Sequence, residues 1–107
     1  KQWGWRVIVL TAYPTAYVNR DENYKDDPEE LIFRATALDV QRQLSFKGKY
    51  LEVMATPDRW GLTWIPSALR KGKDLIKRYN PDVIWSSSPI PSTHYIARKL
   101  SIKNGIP

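Results

Sequence analysis

Residues 62–107 read LTWIPSALRKGKDLIKRYNPDVIWSSSPIPSTHYIARKLSIKNGIP, and the order of patterns in this stretch decides the fold class. Leu62, Ile65, Leu69, Gly72, Ile76 and Tyr79 recur at spacings of three and four, which is one face of an α-helix. Thr63 is the expected N-cap, which puts Pro66 in the first turn, where its missing N–H does little harm. Asn80-Pro81 ends the helix. Asp82-Val83-Ile84-Trp85 then predicts a short buried strand, and Ser86 to Pro91 a loop. Ser92 to Lys103 is the second helix: Tyr95, Ile96 and Leu100 fall at helical spacing, and Asn104-Gly105 closes it.

Upstream, Arg6-Val7-Ile8-Val9-Leu10-Thr11 is a β-branched apolar run closed by Ala12-Tyr13-Pro14, a second strand ending in a turn. Residues 19–30 are polar and acidic and predict a surface loop. Residues 28–46 admit two readings. Asp27-Pro28-Glu29-Glu30 has the form of a helix start, yet Leu31-Ile32-Phe33-Arg34 has the form of a short strand. Strand followed by a helix from Ala37 to Leu44, stopped by Gly48, is the preferred one. Strands alternating with helices make this an α/β chain with a parallel sheet.

The chain has 107 residues and a net charge of +6, the size of one domain or part of one. It has no cysteine, which excludes a disulfide scaffold, a thiolate zinc site and thiol chemistry. One histidine excludes a multi-histidine metal site, and no metal is expected. No apolar run reaches the length of a membrane span, and the opening KQWGWR lacks the apolar core of a signal peptide, so a cytoplasmic location is expected. Residues 21–30 hold six acids and one lysine, so the positive charge lies elsewhere. Its densest cluster is Arg70, Lys71, Lys73, Lys77 and Arg78, offset by Asp74. That cluster reads as a phosphate-binding face or as the solvated side of a helix; the second is favoured, with peripheral attraction to an anionic membrane left open.

In parallel sheets, ligands bind beyond the carboxyl ends of the strands. Thr11 to Pro14 and Ser86 to Pro91 fall there. The candidate site residues are therefore Thr11, Tyr13, Ser86, Ser87, Ser88 and His94. The serine loop precedes a helix N-terminus, whose free N–H groups favour a phosphate, carboxylate or sugar hydroxyl. Equally, Ser88 or Ser92 serves only as the helix cap. His94 is a base candidate, though a plain surface histidine is the favoured reading. Trp3, Trp5, Trp60, Trp64 and Trp85 offer either a sugar-stacking platform or core packing. Core packing is favoured for Trp64 and Trp85, and Trp60, in the PDRWG turn, is the least core-like. Asp58 and Arg59 are expected to pair weakly at the surface. There is no Walker sequence, G-x-G-x-x-G, nucleophile elbow or defensible catalytic carboxylate pair, and no catalytic residue is assigned.

The stretch Pro81-Asp82-Val83-Ile84-Trp85-Ser86-Ser87-Ser88-Pro89, with Ser92, His94, Ala97 and Gly105-Ile106-Pro107, resembles the N-terminal domain of family 4 glycosyltransferases of GT-B fold. Gly4, Val7, Val9, Leu10 and Thr11 resemble that domain's second strand. Arg34-Ala35-Thr36-Ala37-Leu38-Asp39, Gly48-Lys49-Tyr50 and Pro57-Asp58-Arg59-Trp60 are similar to the "R-x-x-ALD … G-x-Y … PDRW" pattern of a bacterial subgroup. The resemblance covers nearly the whole chain; each motif is weak, and their order and spacing carry the specificity.

The resemblance implies a partial Rossmann-like parallel sheet with flanking helices, an incomplete GT-B N-terminal domain truncated at both ends. It implies a retaining glycosyltransferase that transfers a sugar from a nucleotide-sugar to a glycan or lipid-linked acceptor in bacterial cell-envelope polysaccharide biosynthesis. The nucleotide-sugar would be held by a C-terminal domain outside these residues, so no cofactor is expected within them and the piece alone would be inactive. The family's central first strand would lie before Lys1, unless residues 6–11 are themselves that strand. Without it, the 6–11 and 82–85 strands would keep open edges, and the piece would rearrange or self-associate. No nucleic-acid partner is expected on this reading. The alternatives are a basic α/β module that binds nucleic acid and an inert protein-interaction domain.

Overall fold

The computed structural model describes residues 3–16, 25, 30–38, 58–87 and 90–107. Two strands and two helices are formed among them: β1 (Ile8–Ala12), β2 (Leu31–Ala35), α1 (Gly61–Tyr79) and α2 (Pro91–Asn104). β1 and β2 pair in parallel, Ile8 opposite Leu31 through Ala12 opposite Ala35. Both are apolar five-residue runs, and a single 3-10 turn, Pro14–Ala16, follows β1. At the carboxyl end the pair is tied by Tyr13 N–H donating to the Ala35 carbonyl at 3.2 Å and Arg34 Nη1 donating to the Ala12 carbonyl at 3.3 Å. This is a small α/β unit with a parallel sheet, compatible with a partial Rossmann-like arrangement.

The core sits at the carboxyl end of the sheet. Ala12, Ala16, Ala35 and Ala37 are buried there against Trp60, Trp64, Ala68, Ile96 and Leu100. Four alanines leave room for two indoles, which meet edge to face with centroids 6.4 Å apart.

Helix α1 differs from the expectation in three respects. It begins at Gly61, with Trp60 rather than Thr63 as its N-cap. Thr63 lies inside the helix, and its Oγ1 accepts the Leu38 N–H at 2.7 Å. Pro66 consequently falls in the second turn. The carbonyl it leaves without a donor belongs to Leu62, an exposed residue, where water can serve it. The most buried line is Gly61, Trp64, Ala68, Gly72 and Leu75, beside the predicted stripe. Ile65, Leu69 and Ile76 pack against the core from its flank. Small residues decide this rotation: a Cβ built on Gly72 would lie 2.5 Å from Leu100 Cδ1, so α2 crosses α1 at a point where only hydrogen fits without adjustment.

Both helix ends follow the sequence. Asn80 closes α1 in the left-handed conformation at φ 46°, its N–H donating to the Ile76 carbonyl. Gly105 does the same for α2 at φ 64°, donating to Ser101. Ser101 Oγ then donates to the Ile106 carbonyl at 2.5 Å.

The predicted strand Asp82–Trp85 is not formed. A ladder needs a partner at about 4.8 Å, and β1 pairs with β2 instead. The segment bonds to the chain end, Ile84 N–H donating to the Pro107 carbonyl at 2.8 Å. Val83 and Trp85 are exposed, Trp85 at 83%, which corrects its expected place in the core. The strand reading at 31–34 holds, so the helix-start reading across those residues does not. The predicted helix Ala37–Leu44 finds no helical residue at 37 or 38, and the rest of it lies outside the described residues, with Asp27–Glu29, Asp39, Gly48–Tyr50 and Pro57.

Candidate functional site

A groove of about 820 Å³ runs along β1. Thr11, Ser86 and Ser87 line it, with Trp60 and Trp64 contributing from α1 and its cap. Three of the six sequence-predicted residues thus share one concavity.

Ser86 is half-buried, and its Oγ lies 2.8 Å from His94 Nδ1. His94 is the fourth residue of α2, and its imidazole meets the hydroxyl of a residue eight positions earlier in the chain. An unprotonated Nδ1 accepts from the hydroxyl; a protonated Nδ1 donates to it. Either tautomer fixes the direction of the Ser86 hydroxyl, which is what a site for a polar ligand requires. Neither His94 nor Tyr13 lines the groove. His94 acts on it through Ser86, while Tyr13 lies past the end of β1, exposed. Ser88 lies outside the described residues.

The N-terminus of α2 is not the free anion site the sequence suggested. Its N-cap is Ile90, with no side-chain cap, so Ser92 does not cap the helix. The Ser92 N–H donates to Asp58 Oδ2 at 2.7 Å, and Thr93 N–H donates to the Ile90 carbonyl at 3.0 Å. Asp58 Oδ1 also accepts the Trp60 N–H at 2.9 Å. One carboxylate therefore serves the first turns of both helices and supplies negative charge where the α2 dipole favours it. Sequence reading saw Asp58 only as a surface partner for Arg59, because Asp58 and Ser92 are 34 residues apart. The Ser92 side chain is fully buried, and its Oγ has no partner.

We expect Asp58→Ala to lower stability by about 1–2 kcal/mol, through two backbone N–H groups left without their acceptor. The urea midpoint should fall with its slope unchanged. An unchanged midpoint would show that water replaces the carboxylate at no cost.

Trp60 is 7% exposed and belongs to the core, against expectation, since capping by Asp58 turns its side chain inward. The cationic face of α1 is partly engaged. Lys71 Nζ lies 5.8 Å from the Phe33 ring centroid. Arg78 and Arg6 lie 5.2 and 5.0 Å from that of Tyr79. The Lys71–Phe33 contact joins α1 to β2 and the Arg6–Tyr79 contact joins it to the segment before β1, while Arg78–Tyr79 lies within the helix. Arg70, Lys73 and Lys77 are exposed, as a solvated helix face requires. Among the described residues, no group of three or more His, Asp or Glu side chains could hold a metal ion, and no helix is long and apolar enough to cross a membrane.

Compared with known proteins, the chain matches no family model, no curated protein and no solved structure.

Proposed function

We propose that this chain is the acceptor-side part of a retaining glycosyltransferase, one that moves a sugar from a nucleotide-sugar to a glycan or lipid-linked acceptor in bacterial cell-envelope polysaccharide biosynthesis. The reading draws on the ordered motifs from Gly4 to Pro107 and on an α/β unit with a parallel sheet. The observation that carries it is the groove lined by Thr11, Ser86 and Ser87, with the Ser86 hydroxyl oriented by His94. Fixed hydroxyls suit sugar hydroxyls, which both donate and accept. Exposed Trp85 on the same groove offers an apolar ring face for a sugar to stack on. The nucleotide-sugar would be bound by a second domain, so these residues would select and orient acceptor rather than perform the transfer. A cytoplasmic location with peripheral contact at the inner membrane face fits lipid-linked acceptors.

The coding sequence on either side of the segment is the first test. A glycine-rich strand upstream and an α/β domain with spaced glutamates downstream support the reading, and flanking start and stop codons overturn it. In the intact enzyme, Ser86→Ala and Trp85→Ala should each raise the acceptor KM by about 3–10-fold, with kcat changed less. Equal losses in both variants for donor and acceptor would count against an acceptor site. The nucleic-acid alternative predicts steeply salt-dependent binding to random DNA; the transferase reading predicts little.

A further inference from the structure

We propose that Asp58 is a positioning residue for the Ser86–His94 pair. Its carboxylate holds the first turn of α2 against the first turn of α1, and so keeps the His94 imidazole where it fixes the Ser86 hydroxyl. The proposal rests on the acceptor-site reading in one respect: that reading supplies the ligand the hydroxyl would meet.

A helix N-terminus leaves its first N–H groups without intrahelical acceptors. In α2 the first residue is Pro91, which has no N–H, and the N-cap Ile90 offers no side-chain acceptor. The Thr93 N–H goes to the Ile90 carbonyl, a bond within the helix end itself. The Ser92 N–H goes to Asp58 Oδ2 at 2.7 Å and ties the turn to another part of the chain. The second oxygen, Oδ1, accepts the Trp60 N–H, so the carboxylate is anchored at the N-cap of α1. Ser92 is fully buried, and bulk water is therefore no ready substitute at its N–H. Trp64 Nε1 also reaches this turn, at Thr93 Oγ1, but at 3.4 Å the bond is long.

His94 follows Ser92 by two residues, within about one helical turn, so a backbone shift at Ser92 carries to His94. The His94 side chain is exposed, and its place is set by the backbone that carries it and by its bond to Ser86. That bond is 2.8 Å long. A displacement of about 0.8 Å is enough to take such a contact out of hydrogen-bonding range. The path from Asp58 to the Ser86 hydroxyl thus runs through one backbone N–H, two residues of helix and one imidazole.

The test is read on the 107-residue chain through long-range proton–nitrogen spectra of the imidazole, which are unambiguous because the chain has one histidine. Spectra are compared above about pH 8, where a histidine is ordinarily uncharged, so that removing the Asp58 charge does not act through titration. Ser86→Ala defines the Nδ1 shift of the unpaired ring. Asp58→Asn keeps the shape and one of the two acceptor oxygens. Asp58→Ser keeps a short oxygen for the Trp60 N–H and cannot span to Ser92 as well, so it serves if the asparagine variant does not fold. Each is expected to move Nδ1 most of the way to the Ser86→Ala value, and to move it no further when combined with Ser86→Ala. Ser101→Ala removes a hydroxyl contact with Ile106 at the far end of α2 and should leave Nδ1 at its wild-type position. Wild-type Nδ1 shifts in the folded Asp58 variants would overturn the proposal. So would an equal displacement in Ser101→Ala, which would mean that Nδ1 follows any loosening of the helix, or no displacement in Ser86→Ala, which would mean that the pair is not formed. No sugar transfer is measured, so failure here and failure of the transferase reading are separate results.

Discussion

Trp64→Ala is expected to cost about 3–5 kcal/mol and to leave the chain largely unfolded at room temperature. Trp64 is 3% exposed. Its ring meets Trp60 edge-on, and its Nε1 donates to Thr93 Oγ1 at 3.4 Å, joining α1 to α2. The neighbours in the core are mostly alanines, which cannot collapse into the space a lost indole leaves. A unit this small has little stability in reserve. Trp64→Phe keeps much of the ring and loses the N–H, so a smaller loss of about 1–2 kcal/mol is expected. Urea unfolding followed by circular dichroism checks both. An alanine variant with the wild-type midpoint would place the stabilising core elsewhere.

Gly72→Val should lower stability by about 1–3 kcal/mol through the helix crossing alone. The first added carbon would lie 2.5 Å from Leu100 Cδ1 and 3.4 Å from Cδ2. Alanine at this position gains about 1 kcal/mol of helix propensity over glycine, which offsets part of the clash. Valine adds two methyl groups and little such gain. The cause is checked by a double-mutant cycle with Leu100→Ala. Relief of the clash predicts a coupling energy of about 1 kcal/mol or more, and strict additivity would show that α2 moves aside freely.

The two helices were legible because each carries its own signals. The periodic apolar residues, Asn80-Pro81 and Asn104-Gly105 act over a few residues, so the C-terminal ends fall where the sequence sets them. β1 and β2 were legible for the same reason, as short β-branched or aromatic apolar runs. The run DVIW at 82–85 has the same composition and forms no strand. Composition states that a segment can be a strand, but a ladder needs a run of backbone bonds to a neighbouring segment, and among the described residues the backbone bond of this one is the single contact of Ile84 with Pro107.

The candidate site divides along the same line. Thr11 lines the groove from the end of β1, where parallel sheets leave room for ligands, whereas Ser86 and Ser87 line it although the strand expected before them is not formed. The Ser86–His94 hydrogen bond was not legible in the sequence, since it joins a residue before α2 to one within it. Asp58 was read only as a surface partner of Arg59, because its bond to the Ser92 N–H spans 34 residues.

By itself, then, the sequence determined the helices, their C-terminal caps, two strands and the α/β class, all set by interactions within a few residues of one another. Only the tertiary structure decided which indole is buried, which face of α1 meets α2 and which carboxylate caps α2. Those outcomes turn on steric fit and hydrogen bonds between residues distant in the chain, such as Gly72 with Leu100 and Asp58 with Ser92. No local pattern encodes them.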